Sequence, residues 1–445
     1  MSGAVTRRAR RAAVATPAPA GNESRPLHVV ILGDWLGFPH GMASTSRARL
    51  MARALREAGV RVRVLSLQAS DRPSHIENTV VRGEYWGIPF EYTCGTTVRH
   101  DSFAARRLIA AWGWVHGALR LAQLRREGRL DLVLLWFWTP RPAARLLCFM
   151  TLLRLMRVPV VREINESPWS QNADTSTLER LWSPLAGMAG AVTISTELHE
   201  WAAGEPRARR RFRIVDVPIL VDVNEQQPGD YPDGEPLVVF AGSPGYRPTI
   251  CDIFSAMAEV WRTHPQCRLV VTCAAADDPH ADWLREEVRQ AGDGSRVDLV
   301  GYLSRTELLA LYARARALLI PLFDDQLSKA RFPTKIGEYL AASRPVVTSA
   351  VGEIPRYFTD GVDAVVCPPG DPVAFGRAIA GLLADPARAA LIGRRGRRVA
   401  ETRFHYELYG ETLARTFAEI VGCKLSQREM GSSSSCTYPP PQTRG

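Results

Sequence analysis

Two open, doubly wound α/β lobes are what this sequence predicts, on three observations. The chain has 445 residues, more than one hydrophobic core holds, because single cores stop growing near roughly 250 residues. Short β-rich apolar runs alternate with helix-period stretches along most of its length. A stretch rich in Pro, Gly and Asp, residues 221–236, interrupts that alternation and splits it into two series.

The first series opens at residue 27 with LHVVILGD, followed by a helical pattern after Ser44 that Gly59 can end, and then by VRVRVLSL. Strand, helix, strand at this spacing is a parallel βαβ unit. LDLVLLWFW, VPVVREI and AGAVTIS continue the lobe to residue 220. After the linker, LVVFAGS, CRLVVTCA, VDLVGYL, ALLIPLF, PVVTSA and AVVCPPG build a second lobe over residues 237–406. A helix at 407–421 follows, then a low-complexity tail at 422–445; residues 1–26 form a basic arm expected to be disordered.

Composition narrows the classes of function. With 46% hydrophobic and 23% charged residues the chain is an ordinary globular one. A formal charge of +10 draws it to anions: phosphorylated substrates, nucleic acid or an anionic membrane. Nucleic acid is set aside, because the charge is scattered and the arm lacks interleaved aromatics for base stacking. The arginines at 7, 8, 10 and 11 precede no apolar run long enough for a leader, and no stretch is long and apolar enough to span a bilayer. Eight cysteines without metal-ligand spacing read as reduced thiols, so the expectation is a cytoplasmic protein without a bound metal.

The strongest chemical signal lies at residues 331–338. Pro333 and Thr334 precede a helical pattern, and the unpaired amides of a helix start favour a phosphate or a sugar hydroxyl. Lys335 adds a positive charge. Glu338, one turn deeper on the face of Thr334, can accept hydrogen bonds from both hydroxyls of a ribose. Taken alone, Lys335 and Glu338 are equally an i,i+3 surface pair.

The order of the surrounding blocks is more specific. FPTKIGEYLAASRPVVTSAVGEIPRYF, then DGVDAVVCPPGDP, with AVTISTELHEW and VDVPILVD before the linker and FAGSPGYR after it, resembles the retaining family 4 glycosyltransferases. The resemblance covers most of residues 27–420 and implies the GT-B fold, two Rossmann-like lobes facing across a cleft. It implies transfer from a nucleoside diphosphate sugar, as co-substrate, without a cofactor or metal. Arg247 and Lys335 match the two basic residues that hold the diphosphate in that family, and Glu338 matches its ribose glutamate. Gly242, Ser243, Phe332, Pro333, Thr334, Gly352, Glu353 and Ile354 complete the expected donor site. The family has a second glutamate eight residues earlier, beside the donor sugar; here that position is Ala330. Asp324 and Asp325 are therefore not read as a metal motif. The loop with Gly352 and Glu353 is also explained as a plain strand-to-helix turn with Glu353 at a helix start.

On the acceptor side, Gly41 and His40 lie in the loop after the first strand. Arg47 falls on the apolar stripe with Met51 and Ala54, so it needs either a carboxylate partner or a ligand phosphate. Glu163, Asn165 and Glu166 stand at the end of VPVVREI, where Glu166 orients an acceptor hydroxyl or serves as a salt-bridged cap; Glu163 is the weaker candidate. The acceptor class is open: a glycan, a lipid-linked or a small molecule. Arg106, Arg107, Arg120, Arg125, Arg126 and Arg129 interleave with LIAAWGWVHGALRLAQL, a pattern for peripheral contact with an anionic bilayer or for surface helices packed on the first sheet. Two rivals to transfer remain: a non-catalytic nucleotide-sugar binder, supported by Ala330, and a sugar-nucleotide epimerase, for which no acid and base pair stands out.

Overall fold

The computed structural model describes residues 25–136, 143–166, 185–205, 212–242, 245–272, 281–290 and 294–423. Most of the basic arm, the tail from 424 and Ser243 lie outside the described residues. Arg25, assigned to the arm, instead forms an ion pair with Asp131 at 2.6 Å.

Among the described residues, the first sheet contains β1 (His28–Gly33), β2 (Arg61–Ser66), β3 (Arg82–Tyr85), β4 (Ile88–Tyr92), β5 (Leu132–Trp136), β6 (Val160–Ile164), β7 (Gly190–Thr193) and β8 (Arg213–Asp216). Their order is β3-β4-β2-β1-β5-β6-β7-β8. All pairs are parallel except β3 with β4. Strands β5, β6 and β7 are buried along their whole length, as expected where helices cover both faces of a sheet. The β3–β4 hairpin was not predicted from the sequence: Arg82, Glu84, Pro89 and Glu91 break its apolar pattern. Its turn is formed by Trp86 and Gly87, both with positive φ, the geometry that matches strand twist in a two-residue hairpin.

The second sheet holds β9 (Leu237–Phe240), β10 (Arg268–Val271), β11 (Val297–Leu299), β12 (Ala317–Ile320), β13 (Val346–Ser349) and β14 (Val365–Cys367), all parallel, in the order β11-β10-β9-β12-β13-β14. Strand order reverses between β1 and β5 in the first sheet and between β9 and β12 in the second. In doubly wound folds the crevice beyond the carboxyl ends of such strands is where ligands bind.

The chain crosses between the lobes twice, and the crossings lie against each other. Val221 donates to the Phe404 carbonyl at 2.9 Å and accepts from the Tyr406 amide at 3.1 Å. The stretch 221–236 is thus anchored at its start, and Asp222 caps a 3-10 turn at Val223–Glu225. After the second crossing, the helix Glu407–Val421 packs on the first lobe, against the helix Ala43–Glu57. Its Tyr409, Leu413 and Phe417 share one core with Met51 and Leu55. The two helices approach so closely at Gly410 that a Cβ there would strike the Ala54 carbonyl.

Gly410→Ala is expected to cost about 1–3 kcal/mol through overpacking against that carbonyl. Gly381 lies exposed in the helix Pro372–Ala384 with open space around it, so Gly381→Ala should stabilise by about 0.5–1 kcal/mol. Thermal unfolding of the two variants beside the parent measures both; equal shifts would contradict the packing of the last helix.

Candidate functional site

The second lobe presents two elements at its switch point. The chain leaves β9 through Ala241 and Gly242, where Phe240's own ring leaves no room for a Cβ. The helix Arg247–Thr263 then begins. Across from it, the helix Lys335–Ala341 follows β12 by way of the short helix Gln326–Ala330, which Asp325 caps by accepting from the Ser328 amide at 2.7 Å. The buried Tyr339 hydroxyl accepts from the Ala241 amide at 2.9 Å and holds the Lys335–Ala341 helix beside the loop after β9.

Within residues 331–338 the structure separates anchors from free groups. Phe332 is buried, stacked on Tyr357 at 5.2 Å and edge-on to Phe404 at 5.6 Å; its side chain is a core anchor rather than a donor contact. Pro333, Thr334 and Lys335 are half-exposed. Thr334 adopts helical dihedrals and makes no side-chain cap. The amides of Ile336 and Gly337 are used by the carbonyls of Pro333 and Thr334. Those of Thr334 and Lys335 donate to no described residue, and the Lys335 ammonium has no ion pair among the described residues.

Glu338 is not free. It accepts from Arg305 at 2.6 Å; Arg305 also meets Glu225 at 2.5 Å, and Glu225 lies 3.5 Å from Arg49 of the first lobe. Burial opposes the charge on Arg305, but Glu338 and Glu225 outweigh it and hold its pKa above the ordinary value. Arg49 and Arg53 lie over the Trp86 ring at 5.1 and 4.8 Å, which ties the hairpin to the same group. Arg305, Glu225 and Tyr339 were missed in the sequence. Each acts through a partner distant in the chain, and no local spacing signals that.

Arg247 is exposed at the start of its helix, its guanidinium 5.0 Å from the Trp283 ring centre and thus directed to the helix Ala281–Gln290. Three other expected donor residues have structural contacts, and of these Glu353 reaches across to the first lobe. Glu353 is buried and accepts from the Thr196 amide at 2.8 Å, capping a first-lobe helix. Gly352 has φ +57°, and a Cβ would come within 2.9 Å of the Lys329 carbonyl; its glycine serves this close backbone approach. Ile354 is a core side chain whose amide bonds to the Val351 carbonyl. At the position of the absent glutamate, Ala330 is buried and its carbonyl accepts from the Ser195 hydroxyl at 2.7 Å.

In the first lobe, Arg47 takes the carboxylate partner and not a ligand. It is fully buried, donates to Glu163 at 2.7 Å, and gives its remaining donors to the carbonyls of Pro218 and Val217. Arg47 is therefore no acceptor contact, and Glu163, the weaker candidate, is its essential partner. Burial pushes the Glu163 carboxyl up, against the pull of Arg47. Glu166 faces the second lobe, 3.2 Å from Arg331. Asn165 is half-exposed beside it. His40 is exposed, with its backbone paired to Asn78 in both directions at 3.0 Å, and Gly41 follows at φ +152°. Among the described residues no cluster of His, Cys, Asp or Glu has a metal-binding arrangement, and Asp324 pairs with Lys329 at 2.7 Å.

Two doubly wound lobes, joined by paired crossings and facing each other at their switch points, define the GT-B class of glycosyltransferase folds. Residues 235–385, in the second lobe, match the family model for Glycosyl transferases group 1. It is 28% identical over 193 residues to the glycogen synthase of Mycobacterium tuberculosis, covering 43% of this chain and 44% of that protein. The chain thus spans less than half the length of that relative. Over a longer stretch it is 24% identical to the 2-deoxystreptamine N-acetyl-D-glucosaminyltransferase of Streptomyces fradiae, with 79% of this chain and 90% of that one covered. Among solved structures, sucrose-phosphate synthase from Thermosynechococcus elongatus shares the fold at a TM-score of 0.68 and 18% identity, covering 89% of this chain and 99% of that one. Anabaena HepE in complex with UDP-glucose does so at 0.60 and 14%, covering 88% and 99%.

Arg47→Met should destabilise the protein by about 3–5 kcal/mol, because it leaves a buried carboxylate without its cation. Without Arg47 the folded-state pKa of Glu163 rises further above its unfolded value. Stability from such a group is present at low pH and lost as pH rises through the folded pKa, so the deficit relative to the parent should grow from acidic to neutral pH. Urea unfolding of both proteins across that range checks the sign; a pH-independent deficit would refute the pairing.

Proposed function

We propose that this protein transfers a glycosyl group from a nucleoside diphosphate sugar to a hydroxyl of an acceptor held by the first lobe, with retention of configuration. The observation that carries the reading is the Lys335 ammonium. It is half-exposed, without a carboxylate among the described residues, and next to the unused amides of Thr334 and Lys335. The helix bearing it is held beside the loop after β9, where strand order reverses.

In this reading, charge that develops on the departing diphosphate meets Lys335 and these amides, groups already oriented before the reaction, so no divalent ion is required. Arg247 joins them by leaving the Trp283 ring, a side-chain rotation at an exposed site. Glu338 accepts from the ribose with the carboxylate lone pairs that Arg305 leaves open, and Arg305 fixes its orientation. Glu166 and Asn165 face the acceptor. The departing diphosphate oxygen takes the acceptor proton, so the protein mainly positions and neutralises. The acceptor is a glycan, a lipid-linked or a small molecule.

A second reading, a non-catalytic binder of nucleotide sugars, is favoured by Ala330, which offers no carboxylate to the donor sugar. Incubation of the purified protein with UDP-, GDP- and TDP-sugars separates the two. Release of nucleoside diphosphate that rises with an acceptor supports transfer; binding without release across a broad acceptor panel refutes it.

Lys335→Ala and Glu338→Ala should each weaken the bound nucleotide sugar about tenfold or more in a calorimetric titration, the loss expected for a charge-assisted hydrogen bond. Unchanged affinity in both variants would remove the donor site from this segment.

A further inference from the structure

The helix Phe103–Arg126 is apolar on its outer face as well as on the face it packs against the first lobe. Its inward face carries small residues, with Gly113 and Gly117 set so closely on Leu67 that a Cβ at either position would collide with it. Trp114, Leu121 and Leu124 of that face are buried in the core, and a second set of large apolar side chains points the other way. Leu108, Trp112, Val115 and Leu119 recur at helical spacing, and each is more than half exposed. They form one apolar stripe about three turns long, the kind of patch that marks an interaction surface.

The charges around the stripe identify its partner. Arg107 borders its first turn, 4.9 Å from the Phe103 ring, and Arg126 continues the same face beyond Leu119, while Arg106 lies at the helix start on the opposite side. None of the three has an ion pair among the described residues. The acidic neighbours are at the ends: Asp101 before the helix, and Glu127 after it, paired to Arg129 at 3.2 Å. Arginines at both ends of an apolar, carboxylate-free stripe suit an anionic lipid surface, with the apolar side chains among acyl chains and the guanidiniums at headgroup phosphates. Among the described residues no helix is long and apolar enough to cross a membrane, so contact along this face is peripheral.

We infer that the outer face of the Phe103–Arg126 helix docks the protein on an anionic bilayer. Docking also orients the cleft. The helix begins at the end of the first lobe where β1 leads into Trp35, and Arg99, just before it, lies 4.9 Å from the Trp35 ring. That end carries the carboxyl termini of the parallel strands, so the cleft mouth lies near the lipid surface. The inference does not depend on the transfer reading, because it rests on first-lobe residues that have no part in the proposed donor site.

The test is flotation of the full chain with phosphatidylcholine vesicles and with vesicles that also contain phosphatidylglycerol. Binding only to the anionic vesicles, weakened by salt, is expected. Two full-length variants, W112S with L119S and R107Q with R126Q, should each reduce the bound fraction about tenfold while nucleotide-sugar affinity stays unchanged. Three results would overturn the inference. The parent does not float with anionic vesicles; it floats equally well in both variants, which would assign binding to the basic arm; or it sediments as a dimer that W112S with L119S converts to monomer without any vesicle binding, which would make the face an interface between copies.

Discussion

The buried guanidinium of Arg397 organises the junction on which the cleft depends. It donates to the carbonyls of Val223 and Gln226 on the outgoing crossing, bonds to Glu401 at 3.1 Å on the returning one, and reaches the Ala341 carbonyl at the end of the helix that begins with Lys335. A buried charge is tolerated only when its donors are occupied, and here every partner is a piece of the interlobe joint. The Val221 and Phe404–Tyr406 backbone bonds run alongside it. The segment with Lys335 and Glu338 is therefore attached to the hinge itself, and its position relative to the first lobe follows from the joint.

A second charged chain runs from Arg49 through Glu225 and Arg305 to Glu338. It links a first-lobe helix, the linker and two elements of the second lobe, and it occupies the carboxylate expected to hold ribose. Such a pair is costly to bury but strongly orienting, so Glu338 is held in one geometry. The nearby seam of Ser195, Thr196, Ala330 and Glu353 does the same with neutral and charge-assisted hydrogen bonds. Glu353, which looks like a ligand contact in the sequence, is a fastener of this seam.

That pattern explains the absent glutamate. Where the resemblance implies a sugar-facing carboxylate, this chain has a small residue whose carbonyl bonds across the seam. A glutamate side chain at residue 330 would start from a backbone already packed against the first lobe. Five residues further on, Lys335 has no ion pair among the described residues and stands on the phosphate side of the proposed site.

The sequence by itself determined the two doubly wound lobes, and it pointed to the segment at 331–338 as the proposed donor site, because periodicity and helix-start chemistry are local and survive without tertiary context. It was equally sufficient for the inward turn of Arg47, which follows from helical spacing. Only the tertiary structure decided what each polar group meets. Glu163 was passed over for Glu166, yet it is the partner of Arg47; Glu353 caps a helix of the other lobe; Arg305 and Tyr339 gained roles through contacts far apart in the chain. The last helix joined the first lobe because Gly410 fits against Ala54, a complementarity between surfaces more than 350 residues apart that no window of sequence contains.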